Sequence, residues 1–202
     1  MDIFEAIKTT RAMRRLDPDK PVSDADVLTI VEAATKAPSG GNRQAVRWLV
    51  VRDADKRRQL GDIYAACWDI YSSQPGPLTS SAPPESDAQA RVRSSAAYLG
   101  AHMGEAPVII LPCSRKGIGE SSVFPGVQNL CLAARALGLG TTLTTIHRLR
   151  EPEVRAVLDV PEDVETWAMI PVGHPLGRWG EARRRPVAEV TYWDAWKQPP
   201  PP

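Results

Sequence analysis

At 202 residues the chain is long enough to bury a core without disulfides or metal, and a second independent domain would be cramped. Its 25 Lys and Arg nearly balance 24 Asp and Glu, so a formal charge of +1 recommends neither a nucleic acid nor a membrane surface as partner. Three cysteines without a CxxC pair, Cys67, Cys113 and Cys131, are the pattern of a reduced, cytoplasmic chain.

The opening MDIFEAIKTTR carries acids early and lacks the apolar run of a signal peptide. Asp2 with Glu5 is an acidic variant of the capping box, and Ile3, Ala6, Ile7 and Thr10 keep helical spacing. This predicts a first helix running toward Arg14, ended by Asp17-Pro18. Ser23 with Asp26 starts a second helix whose Val27, Ile30, Val31 and Ala34 share one face, and Pro38 stops it. Pro38-Ser39-Gly40-Gly41-Asn42 is a loop by its turn chemistry, and the β-branched run over 46–51 reads as a buried strand. A helix is predicted over 55–72. Residues 74–86 then gather Pro75, Pro77, Pro83 and Pro84 among serines, which reads either as a mobile surface excursion or as a tolerated insertion.

A helix over 87–103 leads to an apolar strand over 107–113, whose core, the longest apolar stretch, is far too short to span a bilayer. In the helix predicted over 123–137, Val127, Leu130, Cys131, Leu132, Ala133, Ala134, Ala136 and Leu137 leave little polar face, so it is expected to be buried on nearly all sides. A strand over 141–146, a short helix over 151–158 and a last core strand over 166–172 follow. Two helices precede any strand and no clean βαβ repeat appears, which favours an α+β sandwich. The closing prolines, 199–202, read as a frayed tail.

Several chemistries can be set aside. Only His102, His147 and His174 are present, with no HExxH, so no metal site is expected. There is no GxSxG elbow and no GxxxxGK[ST] loop. Gly138-Leu139-Gly140 follows a helix and precedes a strand, the reverse of a dinucleotide-binding turn.

What remains is a pair of arginine clusters at opposite ends of the chain, Arg11, Arg14 and Arg15 against Arg183, Arg184 and Arg185. Guanidinium forks suit a phosphate dianion if the clusters meet in space; each alone also reads as a solvated charged face. The 38–42 loop adds backbone that can approach a planar ligand closely, and the Asn42 amide both donates and accepts. Alone, it also reads as an ordinary turn after a helix.

Together these pieces resemble the nitroreductase family of flavoproteins over nearly the whole chain. The carrying segments are TTRAMRRLDP at 9–18, APSGGNRQAVRWLVVRD at 37–53, VQNLCLAARALGLGTTL at 127–143 and IPVGHPLGRWGEARRRPVAEVTYWDAW at 170–196. The resemblance implies one 202-residue domain, an α+β fold with a central, mostly antiparallel sheet flanked by helices, and an intertwined homodimer with FMN at its interface. It places Arg11, Ala12 and Arg14 at the FMN phosphate and ribityl chain, and Pro38, Ser39, Gly40 and Asn42 at the flavin. Leu139, Gly140 and Thr141 lie against the ring, and Arg183 and Arg184 close on the phosphate, with Arg185 as a substitute. The arm from Gly177 onward embraces the partner subunit. Thr10 and Ala12 stand where the family often has Arg and Ser, and Ala45-Val46 replaces the common Pro-Trp, departures that touch the phosphate shell and the flavin wall.

In such enzymes hydride passes from NAD(P)H to the flavin and then to an electron-poor acceptor, a nitroaromatic or quinone, in ping-pong order. No acid–base side chain is obligatory, so no catalytic residue is named. Alternatives within the fold are a flavin-destroying synthase, a reductive dehalogenase or an oxidase of peptide-derived rings. Outside it stand a flavin-binding or sensing protein without turnover and a cofactor-free interaction protein.

Overall fold

The computed structural model describes residues 1–74, 76 and 86–199; most of the predicted 74–86 excursion and the last three prolines lie outside the described residues. Five short strands, β1 (Arg47–Val51), β2 (Val108–Arg115), β3 (Gly140–Thr141), β4 (Val164–Thr166) and β5 (Ile170–Gly173), form one sheet. Every pairing is antiparallel: β1 on one side of β2, β4 and β5 on the other, and β3 outside β5. Seven helices surround it: α1 (Ile3–Thr9), α2 (Asp24–Thr35), α3 (Ala54–Ser72), α4 (Asp87–His102), α5 (Phe124–Ala136), α6 (Glu151–Leu158) and α7 (Val187–Val190). The α+β class expected from the sequence is the one observed.

The central strand explains the layering. Successive side chains of β2 point to opposite faces. Ile109, Leu111 and Cys113 join a core with Leu60, Tyr64 and Cys67 of α3 and Leu99 of α4, while Val108 and Ile110 join one with Ile30 of α2 and Val127 and Leu130 of α5. Both faces are covered, so β2 reads as a continuous apolar run rather than an alternating one. Helix α5 is largely buried, as its composition predicts, although Gln128, Ala136 and Leu137 reach solvent.

Three elements differ from expectation. The first helix closes at Thr9 instead of continuing toward Arg14. The Thr9 and Thr10 hydroxyls donate to the carbonyls of Glu5 and Ala6, at 2.7 Å each, a local bonding that competes with the helix, and Thr10 turns extended. Beyond it the chain runs beside the sheet: the Met13 N–H donates to the Thr141 carbonyl at 2.9 Å, and Leu16 bridges to Pro175. Burial of Met13 and Leu16 in that position overrides the helical pattern.

The predicted strand over 166–172 is two strands split by a bulge. The register of β2 on β4 (Cys113 opposite Thr166) and on β5 (Ile110 opposite Ile170) differs by one residue, which leaves 167–169 facing only two residues of β2. The break sits beside Pro112, whose carbonyl accepts from Trp167 N–H at 2.9 Å but which has no N–H to return. Met169 pairs outward with Thr144 instead. The strand expected over 141–146 accordingly shortens to β3 plus that one bridge, and Ile146–Arg150 forms a 3₁₀ turn.

Candidate functional site

The extended 10–16 segment brings the two ends of the chain together. The Asp17 N–H donates to His174 O (2.8 Å), Leu176 N–H to Arg15 O (3.0 Å) and Ala182 N–H to Lys8 O (3.0 Å), so the C-terminal arm is laced to the N-terminal segment. Arg135 of α5 fixes it from below, its guanidinium 4.2 Å from the Trp179 ring and its Nε donating to Thr9 Oγ1 at 2.9 Å. The result is a cleft of about 620 Å³ with Arg11, Ala12, Arg14 and Arg15 on one wall and Arg183 and Arg184 on another. Arg185 does not line it. A third wall, not foreseen from the sequence, is the face of α4 carrying Ala88, Arg91, Val92 and Ser95.

Charge is what distinguishes this cleft. Among the described residues Glu181 is its one acidic lining residue, and none of its arginines has a carboxylate within ion-pair distance. Arg11 donates to the Arg178 carbonyl, Arg184 to the Arg183 carbonyl, and Arg15 lies 4.1 Å over the Tyr98 ring. Arg14 is half-buried; desolvation lowers its pKa, and its hydrogen-bond partner is the Ser95 hydroxyl at 3.3 Å. Guanidiniums gathered this way repel one another, and an anion between them offsets that repulsion.

Arg14 also borders a second cavity of about 260 Å³, lined by Tyr64, Trp68 and Tyr71 of α3 and by Thr142–Thr145. The Tyr64 hydroxyl lies 2.9 Å from Thr144 Oγ1, and burial pushes its pKa up. Trp68 can lie against α4 because position 100 is glycine: a Cβ there would stand 2.6 Å from the indole. The aromatics at i, i+4 and i+7 on α3 and the TTLTT run at 141–145 were legible as patterns but carried no motif. The residues expected against a flavin ring, Leu139, Gly140 and Thr141, are buried, Gly140 directly beneath Met13 and Leu16, one step ahead of the threonines that reach the cavity.

The 38–42 loop lies elsewhere. Ser39 and Gly40 line cavities of about 210 and 240 Å³ with Gln44, Arg43, Gly117 and Ser122, and no residue of the loop lines the arginine cleft. Pro38 and Asn42 are exposed. The loop is held in an unusual shape: Gly41, Asn42 and Gln44 have φ of 60°, 51° and 47°, and Ser122 Oγ accepts from the Gly40 N–H at 3.0 Å. A run of left-handed residues in an exposed loop is strained, and strain of this kind gathers at ligand sites.

One further polar cluster has His147 and Thr166 fully buried and Glu151 half-buried at its edge. His147 Nε2 lies 3.2 Å from the Thr166 carbonyl, an acceptor only, so Nε2 carries the proton. The Thr166 N–H and hydroxyl both donate to Glu151 Oε1, at 2.6 and 3.0 Å. His147 Nδ1 has no protein partner, and burial lowers the imidazole pKa to about 4. The cysteines are buried and unpaired, with Cys113 pushed up to about 12. Among the described residues no three His, Cys, Asp or Glu side chains gather as metal ligands, and no helix is long and apolar enough to cross a membrane.

Comparison with known proteins gives the same direction. The model of the nitroreductase family matches residues 7–174. A nitrobenzene nitroreductase of Ectopseudomonas oleovorans is 28% identical, with 89% of this chain and 87% of that protein covered. Among solved structures, oxidized iodotyrosine deiodinase bound to FMN and 3-iodo-L-tyrosine superposes with a TM-score of 0.78 at 22% identity over 96% of this chain and all of that one. An FMN- and NADPH-dependent nitroreductase from Sphigopyxis sp. strain HMH does so with a TM-score of 0.72 at 21% identity, covering 97% of this chain and 100% of its own. These likenesses establish the shared fold.

Proposed function

This chain belongs to the nitroreductase family, and from that premise we propose that it is an FMN-dependent oxidoreductase drawing reducing equivalents from NAD(P)H and passing them to an electron-poor acceptor such as a nitroaromatic or quinone. The observation that carries the reading is the cleft in which Arg11, Arg14, Arg183 and Arg184, drawn from both ends of the chain, meet without carboxylate partners among the described residues. Its volume of about 620 Å³ falls within the usual range for small-molecule sites, and its charge suits a phosphate dianion. FMN, when bound, supplies the two-electron carrier on which a ping-pong exchange depends.

The chain's own task is to bind and orient. The four arginines hold the phosphate end, and Ala12 leaves room beside them. Arg14, at the junction of the two cavities, places a positive charge where the phosphate cleft opens toward Tyr64, Trp68 and the threonines, and these walls exclude water from a flat ring. The 38–42 loop lines cavities of its own, and large apolar side chains stand exposed on α1 and on the arm: Phe4 at 71%, Val187 at 76% and Trp196 at 81%. Both features support a homodimer in which the loop of one copy, with Pro38, Ser39, Gly40 and Asn42, meets the cleft of the other, and the three unpaired cysteines support a cytoplasmic setting. No nucleic acid or membrane enters this reading.

A second reading, a specialised flavoenzyme such as a reductive dehalogenase, is favoured by the fold match to iodotyrosine deiodinase. One experiment separates them. The absorption spectrum of the purified protein is taken, and NADPH or NADH is added without air. A yellow protein that bleaches and recovers with a quinone supports the reductase. A yellow protein that does not bleach supports the specialised enzyme or a flavin-binding role, and a colourless one that ignores added FMN refutes both.

A further inference from the structure

We propose that the face of α4 bordering the arginine cleft is a second anion subsite, in which Arg91 selects a phosphate- or carboxylate-bearing partner for the flavin. The inference rests on the reading that the cleft holds FMN.

Ala88, Arg91, Val92 and Ser95 stand at i, i+3, i+4 and i+7 and present one stripe of α4 to the cleft. Among the described residues six arginines line this space against one carboxylate, Glu181. A phosphate dianion is balanced by two guanidiniums, and the C-terminal pair with Arg11 already exceeds that. Arg15 is occupied by the Tyr98 ring and Arg14 by the Ser95 hydroxyl. Arg91 is exposed and has neither hydrogen bond, ion pair nor ring contact among the described residues. A cation in a cleft of like charge, on a wall other than the two that carry the proposed phosphate ligands, is placed for a different anion.

Position identifies the class. Ser95, one turn along from Arg91, bonds Arg14, and Arg14 lines the aromatic cavity of Tyr64, Trp68 and Tyr71. A ligand whose flat ring stacks on the flavin at the mouth of that cavity can therefore extend a negative group along α4 to Arg91. Two sources share this chemistry: the 2′-phosphate that distinguishes NADPH from NADH, and a carboxylate on an aromatic acceptor.

The test is calorimetric titration of the FMN-loaded protein, as parent and as Arg91→Gln, with NADP⁺ against NAD⁺ and with 4-nitrobenzoate against nitrobenzene; FMN affinity is measured separately by fluorescence. In the parent one anionic probe should bind about 10-fold or more tightly than its less charged counterpart, the return of one charge-assisted contact, and whichever pair shows the gap names the source. Arg91→Gln should close that gap and leave FMN affinity unchanged; Arg91→Lys should keep part of it. Absence of a gap in both pairs, or a gap that survives Arg91→Gln, overturns the proposal. A fall in FMN affinity also overturns it, since Arg91 would then belong to the cofactor's phosphate shell. If the parent holds no FMN, the functional reading fails by itself, and the same gap and its loss are read on the colourless chain.

Discussion

His147 and Arg14 are both withdrawn from bulk water, yet the regions around them are built on opposite terms. His147 stays neutral, gives its proton to the Thr166 carbonyl, and Thr166 in turn spends its N–H and hydroxyl on Glu151. Apart from Nδ1, that cluster is closed by the fold itself. In the cleft, Arg14 and its neighbours find a hydroxyl, backbone carbonyls and a ring, but no anion. The difference teaches how to sort polar groups in this molecule. Those whose partners lie inside the fold hold the fold, Arg135 among them, whereas the cations gathered in the cleft without a counter-ion are the proposed ligands of an anion.

The comparison predicts that damage to the cleft is felt in binding and damage to the cluster in stability. The largest effect should come from the double substitution Arg183→Ala with Arg184→Ala. Two charge-assisted contacts are worth about 3–6 kcal/mol, so the Kd for FMN should rise by roughly 10²-fold or more. The melting temperature of the FMN-free protein should stay the same or increase slightly, because like charges are removed. Fluorescence titration and thermal unfolding of one preparation read both; unchanged FMN affinity would sink the assignment of the arm.

The His147 cluster should respond to pH instead. Its folded pKa, about 4, lies below the ordinary 6.5, so in acid the unfolded chain takes up a proton that the folded one refuses. Stability from this group is therefore full above pH 6.5 and is lost as pH falls toward 4, by on the order of 3 kcal/mol in total. Urea unfolding at several pH values across that window checks it. A His147→Phe variant should lose that part of the slope, and an identical slope in the variant would show that other groups carry the acid sensitivity.

A third substitution probes what joins the two regions. Gly140 lets the 10–16 segment lie directly on β3: a Cβ there would stand 2.8 Å from Met13 Cβ and 3.0 Å from Leu16 Cδ2. Gly140→Ala should cost about 1–3 kcal/mol of stability through overpacking and also weaken FMN by shifting Arg11 and Arg14. A stability loss with intact FMN affinity would mean that the segment moves without disturbing the arginines.

How far the sequence reveals this arrangement depends on the kind of signal. Helix α6 matches the predicted 151–158, and α2 starts at the predicted Ser23 cap, because capping and periodicity are local. The β4–β5 bulge is invisible in the 166–172 run, since it arises from the missing N–H of Pro112 on a neighbouring strand. The end of α1 was missed for a related reason: residues 10–16 are extended by what they lie against. For the site, the two arginine clusters stand out as composition, and the resemblance joined them. The α4 wall and the Tyr64–Trp68–Tyr71 cavity have no such signature, as an arginine and three aromatics on helices look like surface and core until the helices are placed.

The smallest predicted effect concerns the loop that one chain leaves apart from its cleft. Asn42 is exposed, with a left-handed backbone, and its Oδ1 accepts from Gln44 Nε2 at 3.2 Å. It lines no part of the arginine cleft, so Asn42→Ala should change the Kd for FMN by less than about 10-fold, the loss of one neutral hydrogen bond at most. If the loop meets the flavin ring across the dimer, the same change should shift the visible absorption bands and slow reduction by NAD(P)H, because the lost amide would have bonded the ring rather than the phosphate. A variant with parent spectrum and parent reduction rate would place the 38–42 loop outside the flavin site, and the arginine cleft would then have to be completed by another part of the second copy.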